Sequence, residues 1–414
     1  MKASTIYVYY DGEQVDAPVL MGVLMGTQLR GKEVFSFEFE PSCLADRRFR
    51  SFDPDLQMFA GKQYAPQDKD NFGMFLDSTP DRWGRILMDR REVEAARMEG
   101  RTPRTLCETD YLLGVFDGSR IGALRFKTSL DGDFLDNDDE MATPPWTSLR
   151  DLEDASLHLE ENPQTGQSKW IKMLVAPGSS LGGARPKANV LDTQGNLWMA
   201  KFPSRGDRRD VGAWEAVCSQ LAKNAGISVS EFKTEKYGGE YHTFLSRRFD
   251  RTAEGKRRQF TSAMTLLGYC DGERSEGASY LELAEWIERN CIDVDKNLRE
   301  LFRRIVFNIS VSNCDDHLRN HGFIYSPRGW SLSPAYDLNP DPSGYGLKLN
   351  INEKDNSLDF NLALSIAPYL GISHQEAERI LDQVRDSVAS WSSVASSFGI
   401  SRSEQEAMRR AFER

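Results

Sequence analysis

One asparagine and two aspartates constrain this chain more than anything else in it. Asp315 stands in the stretch Asn313-Cys314-Asp315-Asp316-His317-Leu318-Arg319-Asn320. Four residues separate it from Asn320, and Asp337 follows 22 positions after Asp315. Between them Phe323-Ile324-Tyr325 and Trp330-Ser331-Leu332 are short β-prone runs, with Pro327-Arg328-Gly329 as a turn signal. A hairpin there folds the chain back and carries Asp337 towards Asp315 and Asn320. Three oxygen-bearing side chains then converge. An acidic turn capped by Asp315 and Asp316, with Asp337 in an ordinary loop, accounts for the same letters.

Phosphoryl transfer from ATP needs a carboxylate near the attacking hydroxyl and oxygen ligands for Mg²⁺. A protein-kinase catalytic loop spaces Asp, four residues and Asn in this way, with a later Asp on the metal. Upstream, Pro177-Gly178-Ser179-Ser180-Leu181-Gly182-Gly183-Ala184-Arg185-Pro186-Lys187 is a glycine-rich stretch carrying positive charge. Its backbone N–H groups could form an anion nest, although the spelling is not a Walker A loop and a plain loop reads alike. Ala188–Leu191 and Leu197–Phe202 read as strands joined by a turn. Lys201 lies in the second strand, either as a phosphate-binding lysine or as an edge-strand lysine whose charge reaches water. Val211–Ala225 reads as a helix with Glu215 as a possible partner for Lys201. Glu231–Tyr237 and Tyr241–Arg248 read as a hairpin, after which Leu245 to Phe249 would pass behind an adenine ring. Leu281–Arg289, Asn297–Val311 and later runs carry apolar residues at helical spacing. A strand-rich part, a hinge and a helical part in that order predict an α+β, bilobal, protein-kinase-like fold.

The first 130 residues read as a small α/β unit. Asp11-Gly12 signals a tight hairpin between Ile6–Tyr10 and Glu13–Val15. Phe35, Phe37 and Phe39 alternate with polar residues as in a half-buried strand, and Asp81–Ala96 reads as a helix using Val93 among others for its apolar face. The acidic run from Asp131 to Glu140 reads as a linker or an exposed crossing. Divisions fall at 1–145, 146–250 and 251–414. The formal charge of -11 argues against a chain that coats nucleic acid by itself. The six cysteines are scattered with no Cys-x-x-Cys pair, so neither a disulfide framework nor a zinc ribbon is supported. No apolar run has the length of a signal peptide or of a membrane span, and a soluble, cytoplasmic protein is expected.

Taken together, Ser180 to Lys187, Lys201-Phe202-Pro203, Arg248-Phe249-Asp250-Arg251, Asp315 to Asn320 and Tyr336-Asp337 resemble the HipA family of bacterial serine/threonine-kinase toxins. The resemblance covers most of the chain and implies a HipA-type N-terminal part and a helical C-terminal lobe. It implies Asp315 as catalytic base and Asn320 and Asp337 as Mg²⁺ ligands. For ATP it implies Gly182, Gly183, Ala184, Arg185, Lys187 and Lys201 at the phosphates, Arg247, Arg248 and Phe249 at the hinge, and His317 and Tyr336 beside the nucleotide. Ser180, or the adjacent Ser179, aligns with a serine that such kinases autophosphorylate. Phosphate there adds about −1.5 to −2 charges where ATP phosphates bind. The implied partners are a small helix-turn-helix antitoxin resembling HipB, DNA mainly through that antitoxin, and a substrate such as an aminoacyl-tRNA synthetase. Two other classes share features of the sequence. One is a kinase of small hydroxylated molecules, and the other is a nucleotide-binding corepressor without turnover.

Overall fold

The computed structural model describes residues 3–29, 31–46, 48–138, 142–161, 174, 185–270 and 277–413. The chain divides into two compact units, one of Met1–Arg205 with Asp250–Thr261, the other of Gly206–Phe249 with Ser262–Arg414. These units follow contact in space, whereas the divisions at 145 and 250 were drawn along the sequence.

The first unit is built on an antiparallel sheet of β1 (Ala3–Tyr10), β2 (Val19–Leu29), β3 (Lys32–Phe39), β4 (Gln63–Tyr64) and β5 (Leu124–Lys127), in the order β4-β3-β2-β1-β5. Side chains of a strand alternate between its faces. Ile6, Val8 and Tyr10 of β1 and Phe35, Phe37 and Phe39 of β3 accordingly enter the core, as the alternation predicted for β3. The expected tight hairpin at Asp11-Gly12 does not form. Those residues do close a turn, with Val15 N donating to Gly12 O over 3.1 Å, but the strand that pairs with β1 starts at Val19. Asp11 N is taken by Ala123 O at 2.8 Å, which commits that edge to the approach of β5. A Cβ on Gly12 would lie 2.3 Å from the Tyr10 hydroxyl oxygen, so any larger residue there would have to displace the Tyr10 ring.

Helix α1 (Arg82–Met98) starts where Asp81 Oδ1 accepts from Gly84 N at 2.8 Å, an ordinary aspartate N-cap. Trp83 and Leu87 face the core, but Val93 does not: it is 54% exposed. Helix α2 (Leu149–Glu161) buries Leu149, Leu152, Ala155 and Leu159, and its Leu159 carbonyl accepts from Arg90 of α1 at 3.1 Å. The acidic run is no free linker over its described part. Leu135 bridges Phe126 of β5, and Asp136 N donates to Val115 O at 3.0 Å. Strands β6 (Lys187–Leu191) and β7 (Leu197–Lys201) form the expected hairpin.

Residues 250–261 belong to this unit because charged side chains hold them there. Arg251 donates to the carbonyls of Gly118 and Arg120 at 3.2 and 2.8 Å. Arg257 donates to Arg120 O at 3.2 Å and to Asp117 O at 2.5 Å. Asp250 Oδ2 accepts from Gly122 N at 2.9 Å. Burial works against the Asp117 charge, but the Arg257 and Arg125 guanidiniums outweigh it and hold that carboxyl below its usual range. Strand β10 (Gln259–Ser262) lies where the chain passes into the second unit for the last time.

The second unit opens with α3 (Val211–Asn224) and the hairpin of β8 (Phe232–Glu235) and β9 (Thr243–Arg247). Then come α4 (Tyr280–Asn290) and α5 (Val294–Ser310), and the hairpin of β11 (Gly322–Ser326) and β12 (Gly329–Leu332). Helices α6 (Phe360–Ile366), α7 (His374–Ala389), α8 (Trp391–Ser397) and α9 (Arg402–Met408) complete it. The centre of this unit is α5, whose Leu298, Leu301, Phe302, Ile305 and Ile309 recur at helical spacing and are all buried. Among the described residues no helix is long and apolar enough to cross a membrane.

Candidate active site

Helix α5 ends directly above the Asp315 loop, and its ending sets the loop's course. Asn313 N donates to Asn308 O at 2.9 Å and Ser312 N to Ile309 O at 3.3 Å. This is the paired closure of a Schellman cap, with Ser312 at φ 52° in the left-handed position where glycine is usual. The Ser312 hydroxyl has work there, donating to Ala411 O at 2.9 Å.

The adjacent carboxylates then part company. Asp315 is exposed and Asp316 is buried. Asp316 Oδ2 accepts from the Tyr280 hydroxyl, from Asn308 Nδ2 at 2.7 Å and from His321 Nε2 at 2.8 Å. Asn308 also holds Asn313, whose Nδ2 donates to Asn308 Oδ1 at 3.1 Å. The loop is thus tied at its start, its middle and just beyond its end. Burial alone would raise the Asp316 carboxyl, but the His321 charge and the hydrogen bonds from His321 and Tyr280 hold it below its usual range.

Asn320 turns its amide back on the loop, with Nδ2 donating to Asp315 O at 3.0 Å. That leaves its Oδ1 facing away from the carbonyl. The hairpin expected between the acids forms with Phe323 opposite Leu332 and Ser326 opposite Gly329, and the chain returns at Ser333, whose N donates to Gly322 O at 2.9 Å. Asp337 follows in a left-handed conformation, φ 60°, unusual for a residue other than glycine. Asn339 braces it, with Nδ2 donating to Asp337 Oδ1 at 3.0 Å. The Asp315 carboxyl sits above its usual range. Loss of hydration raises it most, and the neighbouring Asp337 and Asp316 charges add to this against the pull of His317 and Lys348. Asp337 and Asp315, 22 positions apart in sequence, are therefore electrostatic neighbours.

Other predicted residues gather in the same unit. The Phe249 and Tyr336 rings lie 5.6 Å apart at 31°, and the Tyr336 hydroxyl donates to Arg319 O at 2.6 Å. Arg247 N donates to Glu231 O at 2.8 Å, and Arg248 is buried. His317 has a buried Nδ1 without a hydrogen-bond partner, an unmet demand that a bound molecule would satisfy. Carboxylate and amide oxygens are hard donors of the kind that suits Mg²⁺. Asn320 and Asp337 would hold that ion.

The remaining predicted residues lie in the first unit or outside the described residues. Ser179, Ser180, Gly182, Gly183 and Ala184 are among the latter. Arg185 leads into β6. Lys187 and Lys201 are directly opposite one another on the β6–β7 hairpin. Lys187 is buried, and its ammonium is 2.8 Å from Asp81 Oδ2, at the cap of α1. Sequence reasoning did not find that pairing, nor the roles of Tyr280, Asn308 and His321. The only local signal was the Asp315-Asp316 doublet, which does not say which carboxylate faces inward.

An acidic loop under a long core helix, followed by a hairpin and a further carboxylate, has the order of parts found in a kinase catalytic loop. Residues 179–392 match the model of the HipA-like C-terminal domain, and the chain belongs to that family. The HipA of Shewanella oneidensis MR-1, solved in a complex with HipB and operator DNA, shares the fold. It has a TM-score of 0.66 at 16% identity, over 98% of this chain and 94% of that one. A Haemophilus influenzae protein named "Putative kinase" is 28% identical over 201 residues, 43% of this chain and 58% of that protein. "Putative kinase Y4dM" of Sinorhizobium fredii is 31% identical over 158 residues, 35% of this chain and 37% of that protein. The chain therefore spans less than two thirds of either relative's length.

Proposed function

We propose that the chain is an ATP- and Mg²⁺-dependent protein serine/threonine kinase and the toxin of a type II toxin–antitoxin pair. The observation that supports this reading is the Asp315 loop, fixed by a buried network, with Asn320 tied back to Asp315 and the Asp337 charge acting on the Asp315 carboxyl. In this reading Asp315 accepts the proton of the acceptor hydroxyl, and its exposure leaves it open to a protein substrate. Asn320 Oδ1 and the Asp337 carboxylate orient the metal, while Phe249 and Tyr336 flank the base. MgATP supplies the phosphoryl group and neutralises its charge. The phosphate roles of Gly182, Gly183, Ala184, Arg185, Lys187 and Lys201 rest on the family resemblance. So does autophosphorylation of Ser180 or Ser179. Segments 1–145, 146–250 and 251–414 are read as the HipA-type N-terminal part, the strand-rich part and the helical part.

A HipB-like antitoxin is the proposed partner, supported by the composition of the Shewanella complex. The net charge of -11 suits a basic, DNA-binding protein. An aminoacyl-tRNA synthetase is the proposed substrate class. The test is transfer of label from γ-³²P-ATP with Mg²⁺ by the full chain. Asp315→Ala should lower the rate about 10²–10⁴-fold, as for loss of a general base, and Asp337→Ala should also abolish efficient transfer. Labelling that persists unchanged in both variants defeats the assignment. Intact mass after incubation with ATP separates this reading from a small-molecule kinase, which would leave the chain's own mass unaltered.

A further inference from the structure

The segment after Asp337 lies against the start of the Asp315 loop. Asn339 N donates to Asn313 Oδ1 at 3.4 Å, and Asp341 N to Ser312 O at 3.0 Å. Gly344 lies on Cys314 so closely that a Cβ there would be 2.1 Å from Sγ. Asn350 then exchanges backbone hydrogen bonds with Ala278 and Tyr280, both 2.9 Å. Tyr280 in turn holds Asp316. The stretch between these two anchors thus runs from Cys314 to Tyr280, the partner of Asp316, and Cys314 and Asp316 flank Asp315 in sequence.

Lys348 lies in that stretch. Leu347 and Leu349 are buried and Lys348 between them is exposed, so the two leucines fix the backbone while the ammonium is turned to the open side. Its charge reaches Asp315, where it opposes the two neighbouring carboxylates. Among the described residues no ion pair holds it. A cation whose charge reaches Asp315, on an anchored backbone and without a salt-bridge partner, is placed for an anion that arrives with the substrate.

We propose that Lys348 is a further catalytic residue, whose ammonium binds the equatorial oxygens of the phosphoryl group as it passes to the hydroxyl at Asp315. In that step the bond from the γ-phosphorus to the bridging oxygen of ADP breaks and the bond to the acceptor oxygen forms. The acceptor proton goes to Asp315, ADP leaves, and Lys348 stays protonated throughout. Charge on the transferring group is spread over its three equatorial oxygens in the transition state. A fixed cation at that point acts on the rate more than on ground-state binding. The inference rests on the kinase reading above.

The experiment uses the full chain, γ-³²P-ATP and Mg²⁺, and follows label into protein and inorganic phosphate across ATP concentrations. Lys348→Met should lower the maximal rate about 10²–10³-fold, in the range for loss of one transition-state donor. The half-saturating ATP concentration should change little. Lys348→Arg should recover much of the rate, since the charge is kept. Thermal stabilisation by ADP with Mg²⁺ should match wild type in both variants, which separates lost chemistry from lost folding. A Lys348→Met rate close to wild type overturns the inference while leaving the kinase reading intact. So does a loss confined to half-saturation, or an Arg variant no better than Met. Wild-type labelling no greater than that of Asp315→Ala overturns the kinase reading and this inference with it.

Discussion

At the scale of single residues, the site depends on two neighbouring aspartates doing opposite work. Asp315 faces outward with its carboxyl raised, while Asp316 is buried and gathers three donors on one oxygen. Asp316→Ala strands Tyr280, Asn308 and His321 in the interior together. Removing one member of a buried charged network typically costs about 3–5 kcal/mol. Urea unfolding should show a loss of that order for Asp316→Ala and a clearly smaller one for Asp316→Asn, which keeps an acceptor oxygen. Equal losses would mean the network contributes shape but no charge. Sequence reasoning picked out Asp315, Asn320 and Asp337 from local spacing and one hairpin signal, and the hairpin forms. It could not orient the doublet, since Tyr280 lies 36 positions from Asp316 and only the tertiary fold joins them. Lys187 has a partner that spacing does not reveal. Its place after a glycine-rich stretch points to phosphate, while its ammonium is buried against Asp81, 106 positions earlier.

At the scale of elements, the periodic segments were legible and the turns less so. Helix α5 and the β11–β12 hairpin follow from helical spacing and from Pro327-Arg328-Gly329. Asp11-Gly12 misled because a turn signal does not specify which strand takes the free edge. The turn at Asp53 is another device no pattern revealed. Its carboxyl accepts from Asp55 N and Met74 N, both 2.9 Å, and so ties the turn to the short helix Gly73–Leu76. Burial pushes it up to about 6, past what the two backbone hydrogen bonds and Lys69 can offset. The unfolded chain has an ordinary aspartate near about 4. Between those values the folded state binds the extra proton, so Asp53 contributes stability that is full below about 4 and is lost as pH rises through about 6. The melting temperature of wild type relative to Asp53→Asn should therefore fall between about pH 4 and 6. A difference that stays flat over that interval would contradict the assignment.

At the scale of the whole molecule, neither compact unit is a continuous piece of chain. The first takes in residues 250–261 from far downstream, and it keeps them with arginines aimed at backbone carbonyls. Lys187 on β6 likewise needs Asp81 on the far side of the sequence division at 145. Cutting there would take Asp81 from Lys187, the Gly118 and Arg120 carbonyls from Arg251, and Asp117 and the Arg120 carbonyl from the buried Arg257. Buried charges stranded in this way are among the costliest defects a fold can carry. A fragment of residues 146–414 should therefore lack a cooperative urea transition, by tryptophan fluorescence, under conditions where the full chain shows one. In the full chain Arg257→Ala should lower the midpoint of the transition, because Asp117 loses its foremost counter-charge in a buried setting. If the fragment unfolded cooperatively at the full-chain midpoint, and Arg257→Ala left that midpoint in place, the arginine clasp would be incidental and the boundary at 145 a true domain edge.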